Sequence, residues 1–374
     1  MPGRRAIVIG AGIVGLATAR ALAIKGYAVE VFERGHQALG ASVRNFGMIW
    51  PIGQPQGKLY QRAMRARECW VSIGDHGALW YDPVGSLHVA CQPDEWQVLQ
   101  ELYEGFRGEG RCVKLLNRDE LLELSPIAHR KNCIGGLYSE EEIIVDPRKA
   151  LAALPGYLEE TYGVKFHWGR TVTHCATEQV LAGSKLYNAD LVFICSGADF
   201  ETLYPQLFSE MPITKCKLQM MRLEYPEQER IGPALCGALS LVHYASFRTA
   251  ASLPVLHQRF KKEMPEYLHW GIHVMVSQQD HGQLTVGDSH EYGLSPDPFD
   301  RQFINKLILD YLQSFTQLPE YCVTESWNGV YPRLTDGNTE LFLSPEPGVY
   351  IINAVGGAGM TLSFGLAEEL VNEI

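Results

Sequence analysis

Residues 6–33 constrain this chain more than any other stretch. Ala6-Ile7-Val8-Ile9 has the β-branched character of a short buried strand, and Gly10-Ala11-Gly12-Ile13-Val14-Gly15 is a tight glycine turn. Leu16 to Lys25 then repeats apolar residues at helical spacing until Gly26, and Ala28-Val29-Glu30-Val31-Phe32-Glu33 reads as a second strand. In Gly10-x-Gly12-x-x-Gly15 the first glycine permits the turn, the second lets backbone amides approach a pyrophosphate, and the third lets helix and strand pack closely. The helix end carrying Ile13 and Val14 offers free N–H groups and a positive dipole end to phosphates. Glu33 falls 18 residues after Gly15, near the ~20 expected for an acid that accepts hydrogen bonds from ribose hydroxyls. A carboxylate there, followed by Arg34, repels a 2′-phosphate and disfavours NADP, but by itself leaves NAD and FAD open.

The chain has 374 residues, enough for two or three domains at roughly 100–200 residues each. Its 46% apolar and 20% charged residues are those of a globular protein and exclude collagen-like, coiled-coil and low-complexity classes. With 32 Lys+Arg against 43 Asp+Glu, the formal charge is −11, so the overall basic field that nucleic-acid binding usually needs is missing. An anionic small substrate therefore requires a local cationic cluster. The nine cysteines are scattered singly without a C-x-x-C pair, which suits a reducing cytoplasm. Met1-Pro2-Gly3-Arg4-Arg5 leads into an apolar run too short for a leader, and no window approaches the ~18 apolar residues of a membrane span.

Farther along, a helix is expected from Leu59 to Trp70 and another opening at Asp146-Pro147-Arg148, with proline suited to a first helical turn. Ala189-Asp190-Leu191-Val192-Phe193-Ile194-Cys195-Ser196-Gly197-Ala198 reads as a buried strand ending in a small-residue turn. Between about 211 and 290 the texture changes: 218–223, 267–276 and 284–287 look like strands of an antiparallel sheet. A helical pattern returns over 299–315. The chain ends with a strand at 348–353, the glycine turn Gly356-Gly357-Ala358-Gly359, and a helix over 362–373.

Three of these segments resemble the D-amino-acid oxidase family of FAD-dependent oxidoreductases, the group with glycine oxidase and sarcosine oxidase, over nearly the whole chain. Ser42-x-Arg44-Asn45-Phe46-Gly47 is similar to the loop that the family runs past the flavin. The strand with Cys195, Ser196 and Gly197 is similar to its A-D-x-V-x-x-A-x-G-A strand. Gly356-Gly357-Ala358-Gly359-Met360-Thr361 is similar to its C-terminal turn, which aims a helix N-terminus at the flavin C2 carbonyl. The resemblance implies FAD as cofactor and adds Val172 to the expected binding residues. It also implies two-electron oxidation of a C–N bond, with hydride transfer to flavin N5 and hydrolysis of the imine.

The departures narrow the expectation. Where many relatives place an arginine that forks onto a substrate carboxylate, this chain reads Trp327-Asn328-Gly329-Val330-Tyr331-Pro332-Arg333, with Tyr331 in its place. No cysteine stands where covalent relatives attach the flavin, so the FAD is expected to be non-covalent. The oxygen-activating lysine of sarcosine oxidases aligns with Thr285, which leaves O2 or another electron acceptor open. The segment from Phe46 to Pro55 resembles, more narrowly, a bacterial branch associated with aminophosphonate breakdown. A phosphonate needs several donors rather than one planar fork. The cationic candidates are Arg44, Arg222, Arg248, Arg333, Lys217, His243 and His273; Arg333, Tyr331, His273 and Arg248 are expected to act on the substrate. Trp50, Tyr244, Phe247, Trp270 and Tyr331 read equally well as core or as cavity wall.

Six of the 12 histidines lie between 243 and 290. His269 and His273, in a strand, would stand about 13 Å apart, too far to share an ion, so no metal is expected. The fold expected is α/β plus α+β: a Rossmann-like FAD-binding domain from 1–80, 137–205 and 322–374, with a second antiparallel-sheet substrate domain from 81–136 and 206–321. The function expected is oxidation of a small anionic amine, an aminophosphonate related to 2-aminoethylphosphonate. Glycine, sarcosine or D-amino-acid oxidation is the alternative within the class. An NAD-linked dehydrogenase and a non-catalytic flavin-binding protein are the alternatives outside it.

Overall fold

The computed structural model describes residues 4–226, 229–318 and 321–374; Met1-Pro2-Gly3, part of the stretch weighed above as a leader, lie outside the described residues. The strand Arg5–Ile9 runs parallel to Ala28–Glu33 on one side and Leu191–Ile194 on the other. Lys165–Trp168 and Val349–Asn353 extend this parallel arrangement, and Leu341–Glu346 closes the six-stranded sheet as an antiparallel edge. Arg5–Ile9 is central, which explains its unbroken apolar run: both faces are covered by packing. Helices Ile13–Ile24, Pro147–Tyr162 and Gly359–Glu373 pack with this sheet in one core, and a three-stranded meander over 172–188 contributes to the core on its other side.

A nine-stranded, mainly antiparallel sheet forms the second layer. Its backbone is the long strand Ile213–Glu224, paired antiparallel with Cys322–Leu334, Leu284–Gly287 and Glu291–Tyr292. Met275–Gln278, Ala234–Cys236, Ser86–Ala90, Gly135–Ser139 and Val113–Asn117 continue it. The helix Gln302–Phe315 buries Ile304, Ile308, Leu312 and Phe315 in the associated core. Two boundaries expected from the sequence are displaced. Residues 322–334 were expected in the FAD-binding domain and 135–139 were divided between 136 and 137, yet both segments belong to the larger sheet, because cross-strand pairing with 213–224 and 86–90 overrides the order of the chain.

The expected strand over 267–276 is also corrected. Pro265 opens a short helix, Pro265–His269, Gly271 turns the chain at φ 58°, and only Met275–Gln278 is a strand. The other expected helices occur with shifted ends: Lys58–Asp75, and Gln302–Phe315 rather than a start at 299. Among the described residues, no helix is long and apolar enough to cross a membrane.

Candidate active site between the two sheets

One cavity of about 1370 Å³ runs between the layers, above the roughly 1,000 Å³ upper end for small-ligand sites. At one end its walls are the glycine turn, Glu33 and Arg34; at the other they are His243, Arg248, His273, His290, Tyr331 and Arg333. Of the expected cofactor residues, Gly10, Gly12, Ile13, Val14, Glu33, Arg34, Ser42, Arg44, Asn45, Phe46, Val172, Cys195, Ser196, Gly197 and Gly356 to Thr361 all line it. Gly15 and Gly47 do not. A Cβ on Gly15 would overlap the Gly10 carbonyl, and one on Gly47 the Val145 carbonyl, so these two glycines permit close backbone packing.

The turn is held from three directions. Gly10 sits at φ 104° with the Cys195 carbonyl behind it, where a side chain has no room. Ser42 Oγ accepts the Ile13 N–H at 3.0 Å, and the Glu33 carboxylate accepts from Ala11 N at 3.0 Å and Gly35 N at 2.9 Å. Two helix N-termini open on the cavity, those of Ile13–Ile24 and Gly359–Glu373; neither has a side-chain cap or an acid in its first turn. Apart from the Ile13 N–H that Ser42 takes, their first-turn amides and dipoles are thus available to an anion or to developing negative charge. Met360 and Thr361 also have structural duties, accepting from Trp70 Nε1 and Trp50 N, both at 2.9 Å. Burial pushes the Cys195 thiol up to about 12, which makes it an inert packing group.

At the far end, Arg248 and Arg333 line the wall, and among the described residues neither forms an ion pair. Arg333 lies over the Tyr292 ring at 5.0 Å. Arg44 Nη1 donates to the Asn328 carbonyl at 3.1 Å. Tyr331 is buried opposite Cys216, and burial raises its phenol well above the ordinary value, so it remains a neutral donor or acceptor. His243 is exposed on the cavity wall, with ring centroids 3.8 Å from His273 and 4.8 Å from His290. Burial lowers the His273 and His290 imidazoles, His290 to about 4, and raises the neighbouring Asp288 carboxyl well above the usual range.

Three candidates fall elsewhere. Arg222 donates to Gln283 and Thr285 within the sheet, and the Lys217 ammonium is buried beside Asp300 and Glu291. Thr285 is buried away from the cavity. Trp50, Tyr244 and Tyr331 line the cavity, whereas Phe247 and Trp270 do not. Sequence reasoning missed Asp288, His290 and Tyr292. Their only signal was the concentration of histidines over 243–290, because the turn that brings 288–292 back to 271–273 is set by tertiary pairing.

The nucleotide fold, its acid-tipped second strand and the long interlayer cavity fit a protein that binds a dinucleotide. The chain belongs to the family of FAD dependent oxidoreductases known as DAO, whose sequence pattern matches residues 5–373. It is 24% identical over 349 residues to the bifunctional protein ThiO/ThiG of Nostoc sp., covering 89% of this chain and 47% of that protein. It is likewise 24% identical over 293 residues to D-amino acid dehydrogenase 2 of Mesorhizobium japonicum, covering 62% of this chain and 70% of that one. The chain thus spans about half the length of the ThiO/ThiG relatives it matches. Its fold is similar to glycine oxidase from Geobacillus kaustophilus, with TM-score 0.76, 18% identity, and coverage of 99% and 94% of the two chains. It is similar also to L-proline dehydrogenase from P. horikoshii, with TM-score 0.79, 19% identity, and coverage of 99% and 92%. FAD fits the residues present: the Gly10 cradle admits no Cβ, the first-turn amides after Ile13 carry no side-chain cap, and Glu33 closes that end of the cavity.

Proposed function

We propose that this protein oxidises the C–N bond of a small amine bearing an anionic head group, an aminophosphonate related to 2-aminoethylphosphonate being the substrate that best suits the cavity. The observation that carries the reading is the pair of arginines, Arg248 and Arg333, lining one end of the cavity without a carboxylate partner, in a chain of formal charge −11. A cation left unpaired on a cavity wall is matched by an anion entering it. A tetrahedral group with three oxygens uses donors spread over several elements, as Arg248, Arg333 and Tyr331 are, better than a planar carboxylate does.

Bound FAD supplies the two-electron acceptor in this scheme. The chain's own residues hold the anion at the arginine end, wall the amine with Trp50, Tyr244 and Met275, and keep water from the reacting carbon. The amine must react as the neutral base. Oxygen, or another electron acceptor, would take up the two electrons. The fold is shared with an oxidase and a dehydrogenase alike, so it favours neither.

Anaerobic mixing of the purified protein with 2-aminoethylphosphonate, its N-methyl and 1-hydroxy forms, glycine, sarcosine and D-alanine tests this directly. Bleaching of the flavin absorbance by the phosphonates alone is the expected result. Faster bleaching by glycine or sarcosine would overturn the phosphonate assignment, and no bleaching by any amine would leave a flavin-binding protein without this activity.

A further inference from the structure

We propose that His243, His273 and His290 hold a divalent first-row metal ion, zinc by ligand type, whose open position faces the cavity and grips the anionic group of the substrate. The candidate ligand atoms of the three histidines all lie within 4.8 Å of one another. A tetrahedral zinc with Zn–N bonds of about 2.0–2.1 Å needs its ligand nitrogens roughly 3.4 Å apart, so modest side-chain rotation closes the set.

The surroundings point the same way independently. His273 is 3% exposed, and both its ring nitrogens lack a hydrogen-bond partner. A buried imidazole with two unsatisfied nitrogens is costly unless something occupies them. Rotation of this ring therefore breaks no existing bond. His290 is already oriented as metal-bound histidines are: Nδ1 lies 2.9 Å from the Gly271 carbonyl, and with the proton there Nε2 is left as the ligand. Asp288 Oδ1 lies 3.2 Å from His273 Nε2 without forming a hydrogen bond, close enough to support that imidazole once its Nδ1 turns to the metal. His243 lies on the cavity side. Three neutral imidazoles leave the ion its full charge of two, and its remaining position opens toward the wall where Arg333 and Arg248 stand.

The cluster was invisible in the chain order. His269 is carried outward at a helix end, so the His269–His273 spacing is irrelevant, while 243 and 290 converge on 273 only after the loop before 275 and the strand at 284–287 pair.

The role in gripping the substrate rests on the anionic-amine reading above; occupancy by the metal does not. The test uses the FAD-loaded full chain, stripped with a chelator, exposed to excess zinc chloride and desalted, with zinc per flavin measured by mass spectrometry. One zinc per flavin is expected for the native protein and for His269→Ala, and a loss of about tenfold or more for His273→Ala and His290→Ala at unchanged flavin content. No retained zinc in the native protein, or equal zinc in His273→Ala, overturns the site. Should the variants fail to fold, zinc-edge absorption on the native protein decides: three imidazole nitrogens are expected, and a shell containing sulfur overturns the assignment. Inorganic phosphate, titrated against the flavin spectrum, should bind about tenfold tighter with zinc than without; equal affinity removes the anion-gripping role. Zinc binding together with bleaching by glycine alone would instead refute the phosphonate reading and keep the metal site.

Discussion

At the scale of single residues, Glu33, Arg333 and His88 give separable expectations. Glu33 receives the Ala11 and Gly35 amides and faces the cavity, so Glu33→Ala removes both a support of the turn and the expected ribose acceptor. Charge-assisted hydrogen bonds are worth about 1.5–3 kcal/mol, so FAD affinity should fall roughly ten- to a hundredfold in a titration of the apoprotein; unchanged affinity would remove the ribose role. Arg333→Ala should raise KM for an anionic amine about tenfold or more while leaving that for a neutral amine of the same size nearly unchanged, because only the former loses a charge partner. Equal effects would take Arg333 out of the anion site. His88 is buried between Trp50 and Phe247 without a partner on either nitrogen, and burial lowers its pKa to about 3. The unfolded chain takes up a proton near pH 6.5 that the folded one refuses, so the contribution is intact above that pH and is lost as pH falls toward about 3. At pH 5 this costs about 2 kcal/mol. His88→Leu should therefore flatten the loss of stability between pH 8 and pH 5 measured by urea unfolding; an unchanged pH dependence would mean that His88 is solvated or bonded in the native state.

At the scale of elements, the helices Lys58–Asp75 and Gly359–Glu373 cross where Gly365 meets the Arg62 backbone, and a Cβ on Gly365 would overlap the Arg62 carbonyl. The crossing is fixed by Arg62, almost wholly buried, which forks onto Glu369 at 2.7 Å and reaches Glu340 at 2.9 Å. Because the same helix begins at the cavity, its tilt positions the Gly356–Thr361 turn. Gly365→Ala should cost about 1–3 kcal/mol through overpacking and weaken flavin retention as well, seen as a lower Tm together with a lower flavin-to-protein ratio. A lower Tm at full flavin content would separate the helix crossing from the site. On the other layer, the pairing of 213–224 with 322–334 places Tyr331 and Arg333 on the cavity wall, a consequence of register rather than of local sequence.

At the scale of the molecule, the two sheets share the cavity, so a ligand that fills it stabilises both. FAD present at about a hundred times its dissociation constant adds about 2.7 kcal/mol, so the apoprotein should melt several degrees lower, and calorimetry of apo and FAD-loaded protein measures the difference. Identical melting would mean that FAD does not bind the folded protein at that concentration. Much of this architecture was legible in the sequence. The glycine turn, Glu33, the 189–198 strand and the 356–361 turn each encode local backbone geometry, and such geometry follows from which residues tolerate a tight turn, a close backbone approach or a helix start. The glycine-turn end of the cavity was readable for that reason, as were the parallel strands, whose continuous apolar runs record burial on both faces. The substrate end was not. Arg222 and Lys217 looked as suitable as Arg248 and Arg333, but sheet pairing buries the first two against Gln283, Asp300 and Glu291, and leaves the others facing the cavity. What the sequence by itself determined is the class of fold and the glycine turn with Glu33 beside it, since both arise from contacts between near neighbours in the chain. Only the tertiary structure decided which charges face the cavity and that His243, His273 and His290 meet, because those contacts join residues whose proximity is set by the register of a nine-stranded sheet and by no local preference.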